Sequence, residues 1–216
     1  AKIPVKVNFT LNKENKDDLF KVIKITEELN IPISTPTYMF PPIRNLCDNH
    51  DFESHRLSPK EAAKIQYEIS KYGINEDPLN VQGIHNVLDK VNPKYFNNSK
   101  KEAPGGFLCS AGVRSFWINW LGILTPCGMM PYPKCDLKET SFKDGWDYIK
   151  QESEKIYTSS ECYSCRFRNI CQNCAASSLA ENGKTDTVVE YHCHLCNEYE
   201  KSLQKLVKEI EQDENK

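Results

Sequence analysis

Hydrophobic and polar positions in the first part of the chain predict a strand, a helix and a second strand. Residues 2–11 (KIPVKVNFTL) and 31–40 (IPISTPTYMF) are rich in strand-forming side chains. Between them, residues 15–30 place most of their apolar side chains on one face of a helix, namely Leu19, Phe20, Ile23, Ile25 and Leu29. A strand–helix–strand unit of this length has parallel strands, and two parallel strands need further strands to complete a sheet. The pattern therefore predicts a fragment of a larger α/β sheet.

A second helix is predicted from a capping signal. Ser58 is an N-cap residue, Pro59 follows at the first helical position, and Glu61 stands three residues after the cap, so a helix should run to about Tyr72. Residues 73–105 are rich in Asn, Pro and Gly around a short helical piece at 81–91. We expect a domain boundary near residue 100, which divides the chain into residues 1–100 and 101–216.

The second half of the chain has a different pattern of hydrophobic and polar residues. Residues 109–130 alternate across a turn near Asn119–Gly122 and predict a β-hairpin, and residues 144–156 predict a helix. Residues 188–212 predict an amphipathic helix whose apolar face carries Tyr199, Leu203, Leu206, Val207 and Ile210. The expected fold class is α/β, with a parallel fragment followed by a small α+β domain that contains the hairpin.

Composition narrows the class of protein. The chain has 216 residues, of which 39% are hydrophobic and 27% charged, which is enough apolar material for a globular core. A formal net charge of −2 argues against a nucleic-acid partner, because such binders need a basic face. No apolar run is long enough to span a membrane and no signal peptide is present, so we expect a cytoplasmic protein without a membrane partner.

Ten cysteines are the most informative feature of the composition. Cys47 stands alone in the first half, and the others lie between Cys109 and Cys196. A chain of this length does not need disulfides for want of a core, and no secretory signal is present. Close pairs of cysteines separated by two residues instead suit the binding of a metal or cluster. The pairs are Cys162/Cys165, Cys171/Cys174 and Cys193/Cys196.

The spacing leaves two kinds of metal site open. A [4Fe–4S] cluster needs one thiolate on each iron, and a CxxC turn, a third nearby cysteine and a distant fourth can supply them. Alternatively, Cys162/Cys165 with Cys193/Cys196 would make a four-cysteine zinc site, and His192 and His194 could also bind zinc. Zinc alone leaves the five-residue step to Cys171 and the cysteines of the hairpin unexplained.

The cysteine pattern resembles the SPASM domain that follows the barrel in many radical SAM enzymes. Its signature reads C-x9–15-G-x4-C, then C-x2-C-x5-C-x3-C, then a last C. Cys109, Gly122 and Cys127 match the first element. The remaining matches are Cys162, Cys165, Cys171, Cys174 (which comes one residue early) and Cys193. Residues 56–69 resemble the linker helix of these enzymes, and residues 3–43 resemble the end of their partial parallel β/α barrel.

The resemblance implies two auxiliary [4Fe–4S] clusters with separate ligand sets. By position in the family pattern, the first cluster would be held by Cys109, Cys127 and Cys174. Its fourth ligand would be Cys135, or the position would be open to a substrate thiol or amide. The second cluster would be held by Cys162, Cys165, Cys171 and Cys193, and Cys196 is an alternative to Cys193. Arg166 and Arg168 lie within the second set, where their positive charges would stabilise an anionic cluster.

The family also defines what this sequence lacks. Radical SAM enzymes cleave S-adenosylmethionine at a third cluster held by CxxxCxxC, and no such triplet occurs here. We therefore expect the chain to be inactive alone and to work with a missing N-terminal half, in the same chain or as a separate subunit. The expected activity is radical modification of a peptide or protein substrate, of the thioether-forming or sulfatase-maturing type. A zinc-binding interaction module and a stand-alone two-cluster electron-transfer protein are the alternatives.

Overall fold

A computed structural model describes residues 3–42, 52–76, 80–91 and 106–214. The described chain is mixed α/β, with two small sheets and eight α-helices in these ranges. It divides into two compact units, one of residues 1–88 with 194–216 and one of residues 89–193. Cys47 lies outside the described residues.

The first unit contains the predicted strand–helix–strand. Strand β1 (Val7–Asn8) and strand β2 (Ile33–Ser34) pair in parallel, with Val7 opposite Ile33, and helix α1 (Leu19–Glu28) connects them. Leu19 and Ile23 are buried on the inner face of α1, together with Leu11. Burial of this apolar face explains why the segment folds back on the strand pair. The secondary structure is confirmed, and the larger barrel stays a prediction.

The predicted capping signal begins a long helix of the first unit. After the short helix α2 (Phe52–His55), helix α3 runs over Pro59–Glu76. The backbone N–H of Glu61 donates to Ser58 Oγ at 3.3 Å, and the backbone N–H of Ser58 donates to Glu61 Oε2 at 3.0 Å. Lys16 Nζ lies 2.8 Å from Glu61 Oε1, and its hydrogen bond lowers the pKa of Glu61 to about 2. The helix begins where predicted and extends four residues further.

Two more helices of this unit share a core. Helix α4 spans Asn80–Val91, and helix α8 spans Glu190–Glu214. Leu203 and Leu206 of α8 are buried together with Ile84, and Tyr199 packs against them. The units therefore divide the chain differently from the predicted 1–100 and 101–216, because the apolar face of α8 belongs to the core of the first unit. Of the predicted face, Ile210 lies outside the described side chains.

The second unit contains the predicted hairpin. Strands β3 (Trp117–Ile118), β4 (Ile123–Thr125) and β5 (Cys135–Asp136) form an antiparallel sheet in that order. Gly122 closes the hairpin turn with φ +80°, and Asn119 Oδ1 accepts hydrogen bonds from the backbone of Leu121 and Ile123. The helices of this unit are α5 (Phe142–Ser153), α6 (Ser160–Ser164), α7 (Ala175–Asn182) and the first residues of α8. No helix in the described ranges is long and apolar enough to cross a membrane.

Candidate metal centres

Four cysteine thiols line one pocket of the second unit. The pocket contains about 350 Å³ of empty space when the part that is open to solvent is included. Cys162 lies on α6, Cys165 directly follows that helix, Cys171 lies on the next loop and Cys193 lies in the first turn of α8. These are the four residues that the family pattern assigns to the second cluster. The same wall contains Phe167, Arg168, Asn173, Val189 and His192.

Tight turns bring Cys171 back toward Cys165. The backbone N–H of Arg168 donates to the carbonyl of Cys165 at 2.9 Å, and that of Cys171 donates to the carbonyl of Phe167 at 2.7 Å. The Phe167 side chain is buried and anchors the loop between them. Local hydrogen bonds therefore account for the five-residue step from Cys165 to Cys171.

Burial and like charge oppose thiolate formation in this pocket. Burial first, and then the neighbouring Cys171, Cys165 and Cys162, together raise the pKa of Cys193 to about 11. Burial also raises the pKa of Cys162, whereas the amide of Asn173 and the charge of Arg168 lower it. Since thiolates bind metals and thiols do not, a bound cation would have to supply the charge that holds these four sulfurs deprotonated.

Hydrogen-bond donors near these sulfurs would stabilise them as thiolates. The backbone N–H of Asn173 donates to Cys171 Sγ at 3.4 Å, and its side-chain Nδ2 donates to Cys162 Sγ at 3.5 Å. Arg166 stacks its guanidinium over the Phe167 ring, 4.0 Å from the centroid. Of the two arginines considered from the sequence, Arg168 is therefore the one in the pocket wall.

A second group of cysteines lies where the hairpin meets the start of α7. Burial raises the pKa of Cys127, and the nearby Cys174 and Cys109 raise it further as like charges. The backbone N–H of Met129 donates to Cys127 Sγ at 3.4 Å and opposes that rise. Cys127 and Cys174 pack against a common core of Met130, Ile156, Ala175 and Ala176. These are the three cysteines that the family pattern assigns to the first cluster.

Two further cysteines are a predicted ligand and an alternative ligand. Cys135 is in β5 opposite Leu124, and its Sγ lies only 3.0 Å from where a Cβ on Gly145 of α5 would stand. Cys196 is buried on α8 in the part of the helix that belongs to the first unit. Of the two histidines considered, His192 is buried in the pocket wall and His194 is exposed. Cys135 as the fourth ligand of the first cluster stays a prediction.

Sequence reasoning missed Asn173 and Ser177. Asn173 is buried between the two groups of cysteines, and Ser177 Oγ lies 3.8 Å from Cys174 Sγ. A signal was present in the sequence, because the step from Cys171 to Cys174 is one residue shorter than the family pattern and contains a polar Asn. Such a residue in a bend between metal ligands is a candidate donor to their sulfurs.

Gly112 offers a test of the loop that carries Cys109. Its φ is +72°, and an added Cβ would lie 2.3 Å from Ser153 Oγ and 2.5 Å from Ser153 Cβ. We expect Gly112→Ala to lower the free energy of unfolding and the occupancy of the first group. The matched control is Gly183→Ala, which has the same φ of +72° but nothing within 4 Å of its added Cβ.

The positive φ costs both variants about 1–2 kcal/mol, and the clash should cost Gly112→Ala about 1–3 kcal/mol more. Denaturant unfolding, with metal analysis on the same samples, measures both quantities. Equal losses of stability in the two variants would show that the loop around Gly112 relaxes without strain.

No family model matches the chain. The chain is similar to the AdoMet-dependent heme synthase of Methanosarcina barkeri (strain Fusaro / DSM 804), at 20% identity over 206 residues. The match covers 85% of this chain and 54% of the relative, so the chain spans about half the length of that protein. Most of the chain is therefore similar to part of an AdoMet-dependent enzyme.

Proposed function

We propose that this chain binds two [4Fe–4S] clusters as the auxiliary-cluster region of a radical SAM enzyme. The observation that carries the proposal is the gathering of seven cysteines into a group of four around one pocket and a group of three beside the hairpin. The residues fit such clusters chemically, because N–H donors point at thiols in both groups. When bound, the clusters would supply one-electron redox chemistry.

We infer that the group of four holds a cluster rather than a zinc ion. Zinc–sulfur bonds of about 2.3 Å require four sulfurs to converge on one point. Within the described residues, no three or more His, Cys, Asp or Glu side chains converge closely enough to hold a single ion. The four thiols instead line the wall of one pocket, which agrees with a group that binds several thiolates at separate iron atoms.

The similarity to an AdoMet-dependent enzyme agrees with the radical SAM assignment. Because this sequence has no CxxxCxxC, residues outside it would have to hold the cluster that cleaves S-adenosylmethionine. The parallel pair β1–β2 with α1 would then be the end of a partial barrel that the N-terminal half completes. In this arrangement the cysteines of the chain would act as ligands, and the groups they hold would supply a site for substrate or for an electron.

The substrate has two candidates. The resemblance to maturases favours a peptide or protein, whose thiol or amide could reach an open position beside Cys109, Cys127 and Cys174. The relative is named for heme synthesis, which favours a heme precursor as the second candidate. Binding of each substrate class to the cluster-loaded protein, followed by changes in the spectrum of the first cluster, separates the two.

The proposal is tested by metal and sulfide analysis of anaerobically purified protein. We expect about eight irons and eight acid-labile sulfides per chain, with broad absorbance near about 400 nm. With S-adenosylmethionine and reductant, the chain alone should form no 5′-deoxyadenosine. Zinc without sulfide in protein never exposed to oxygen would overturn the proposal and favour the interaction module. Reversible redox cycling with no requirement for a CxxxCxxC partner would favour the stand-alone electron-transfer protein.

The fourth ligand of the first cluster is tested by Cys135→Ala. We favour the alternative of a position open to substrate, because Cys135 Sγ lies 3.0 Å from where a Cβ on Gly145 of α5 would stand. We therefore expect the variant to keep its iron and sulfide close to the wild-type amounts. Cys127→Ala, measured in parallel, should lose about four irons. An equal loss from Cys135→Ala would establish Cys135 as the fourth ligand that the spacing predicts and would close the position proposed for substrate.

A further inference from the structure

Asn173 is a buried polar residue that lies between the two groups of cysteines. Its side chain is 3% exposed, and it directly precedes Cys174 of the first group. Its backbone N–H and its side-chain Nδ2 donate to Cys171 Sγ and Cys162 Sγ of the second group, at 3.4 and 3.5 Å. Burying an amide is costly unless its polar atoms form hydrogen bonds. These two contacts give the backbone N–H and the side-chain Nδ2 of Asn173 one partner each.

The chemistry of the neighbours fixes the orientation of the amide. A metal-bound thiolate can only accept, which requires the NH₂ of Asn173 to face Cys162. Its Oδ1 then faces Ser177 Oγ at 3.0 Å and Ser178 Oγ at 3.3 Å, both of which can donate. The Ser178 hydroxyl also lies 2.8 Å from the carbonyl of Thr187, so its proton has a second acceptor.

Ser177 extends this network to the first group. Its hydroxyl lies 3.0 Å from Asn173 Oδ1, 2.9 Å from the carbonyl of Cys174 and 3.8 Å from Cys174 Sγ. A hydroxyl has one proton, so these three acceptors share a single donor. The path from Cys162 Sγ through Asn173 and Ser177 to Cys174 Sγ therefore joins the two groups of thiols through two side chains.

We propose that Asn173 and Ser177 are positioning residues that set the reduction potentials of both clusters through one shared hydrogen-bond path. The inference rests on the proposed function, because it requires both clusters to be bound. A donor aimed at a ligand sulfur stabilises the more negative, reduced cluster and raises its potential. Since Asn173 and Cys174 compete for the Ser177 proton, a change at Asn173 should act on the two clusters in opposite directions.

The test is an anaerobic redox titration with dithionite as the one-electron donor, monitored by electron paramagnetic resonance. Asn173→Leu removes the amide at similar volume. We expect the potential of the second cluster to fall by about 59 mV, which is a tenfold change for a one-electron couple. The potential of the first cluster should rise by a smaller amount, because the Ser177 hydroxyl loses one of its acceptors.

Ser177→Ala should lower the potential of the first cluster, and Ser177→Thr should restore it by returning a hydroxyl. Asn182→Leu is the matched control, because its amide donates to Thr187 Oγ1 and the carbonyl of Val188 rather than to a cysteine. We expect that variant to leave both potentials unchanged.

The outcomes distinguish a failure of the proposed function from a failure of the shared hydrogen-bond path. If the wild-type protein contains no iron and sulfide, the proposed function itself is overturned. Variants that keep their clusters but show unchanged potentials, or shifts of the same sign in both clusters, would overturn the shared path. If Asn173→Leu assembles too little cluster to titrate, the Ser177→Ala and Ser177→Thr pair decides, and failure of Thr to restore the potential would also overturn it.

Discussion

Cys162→Ala should remove at least about one of the about eight irons and Cys127→Ala about four, from different clusters. Cys162 lies in the wall of a pocket that three other thiols share, so its loss leaves one iron of that cluster without a protein ligand. Cys127 belongs to the group of three, where Cys174 and Cys109 are close enough to contribute to its raised pKa. Because the two groups use different thiols, the losses should add in the double variant.

The measurement is iron and sulfide per chain, together with electron paramagnetic resonance of the reduced protein. Ser110→Ala is a suitable control, since its exposed hydroxyl donates to Ser115 Oγ at 3.1 Å and neighbours Cys109 in sequence. We expect that control to retain about eight irons. Loss of all iron from either single variant, with the fold intact by circular dichroism, would mean that the seven cysteines form one interdependent site.

Much of the local structure follows from the sequence because short-range rules determine it. The capping box at Ser58 and Glu61 forms between residues three apart, and its hydrogen bonds start α3 where the sequence predicts. Gly122 takes a positive φ at the turn of the hairpin, a conformation that other residues adopt at a cost. In both cases the physical cause lies within a few residues of its effect.

The division of the chain depends on contacts that no local rule specifies. The apolar stripe of α8 is visible in the sequence, but a stripe does not identify its partner. Ile84 packs with Leu203 and Leu206, more than a hundred residues further along the chain, which assigns most of α8 to the first unit. The local composition instead suggested a domain boundary near residue 100, because Asn, Pro and Gly are frequent there.

The candidate site shows the same contrast. Cysteine spacing could suggest ligands in close pairs, whereas the grouping of distant cysteines, such as Cys174 with Cys109 and Cys127, rested on the family resemblance. The structure brings Cys162, Cys165, Cys171 and Cys193 to one pocket. The role of Asn173 depends on where its amide points, and this becomes visible only when the loop between Cys171 and Cys174 is folded.

Cys193 and Cys196 form a matched pair on one helix, and replacing each with Ala should have different effects. Cys193 lines the pocket, and burial with three neighbouring thiols raises its pKa to about 11. Cys193→Ala should therefore lose at least about one iron, because the iron that Cys193 would bind is left without a protein thiolate. Cys196 is buried in α8, and a buried cysteine packs much as a small apolar residue does.

Cys196→Ala should keep its iron and lose only about 1 kcal/mol of stability, which corresponds to the removal of one small buried group. Iron and sulfide analysis, with denaturant unfolding of the same two samples, separates loss of a ligand from loss of packing. A zinc site built from Cys162/Cys165 and Cys193/Cys196 predicts instead that both variants lose the metal. Loss of iron from Cys196→Ala alone would show that Cys196 takes the place of Cys193, and the pocket as described would then not be the binding site.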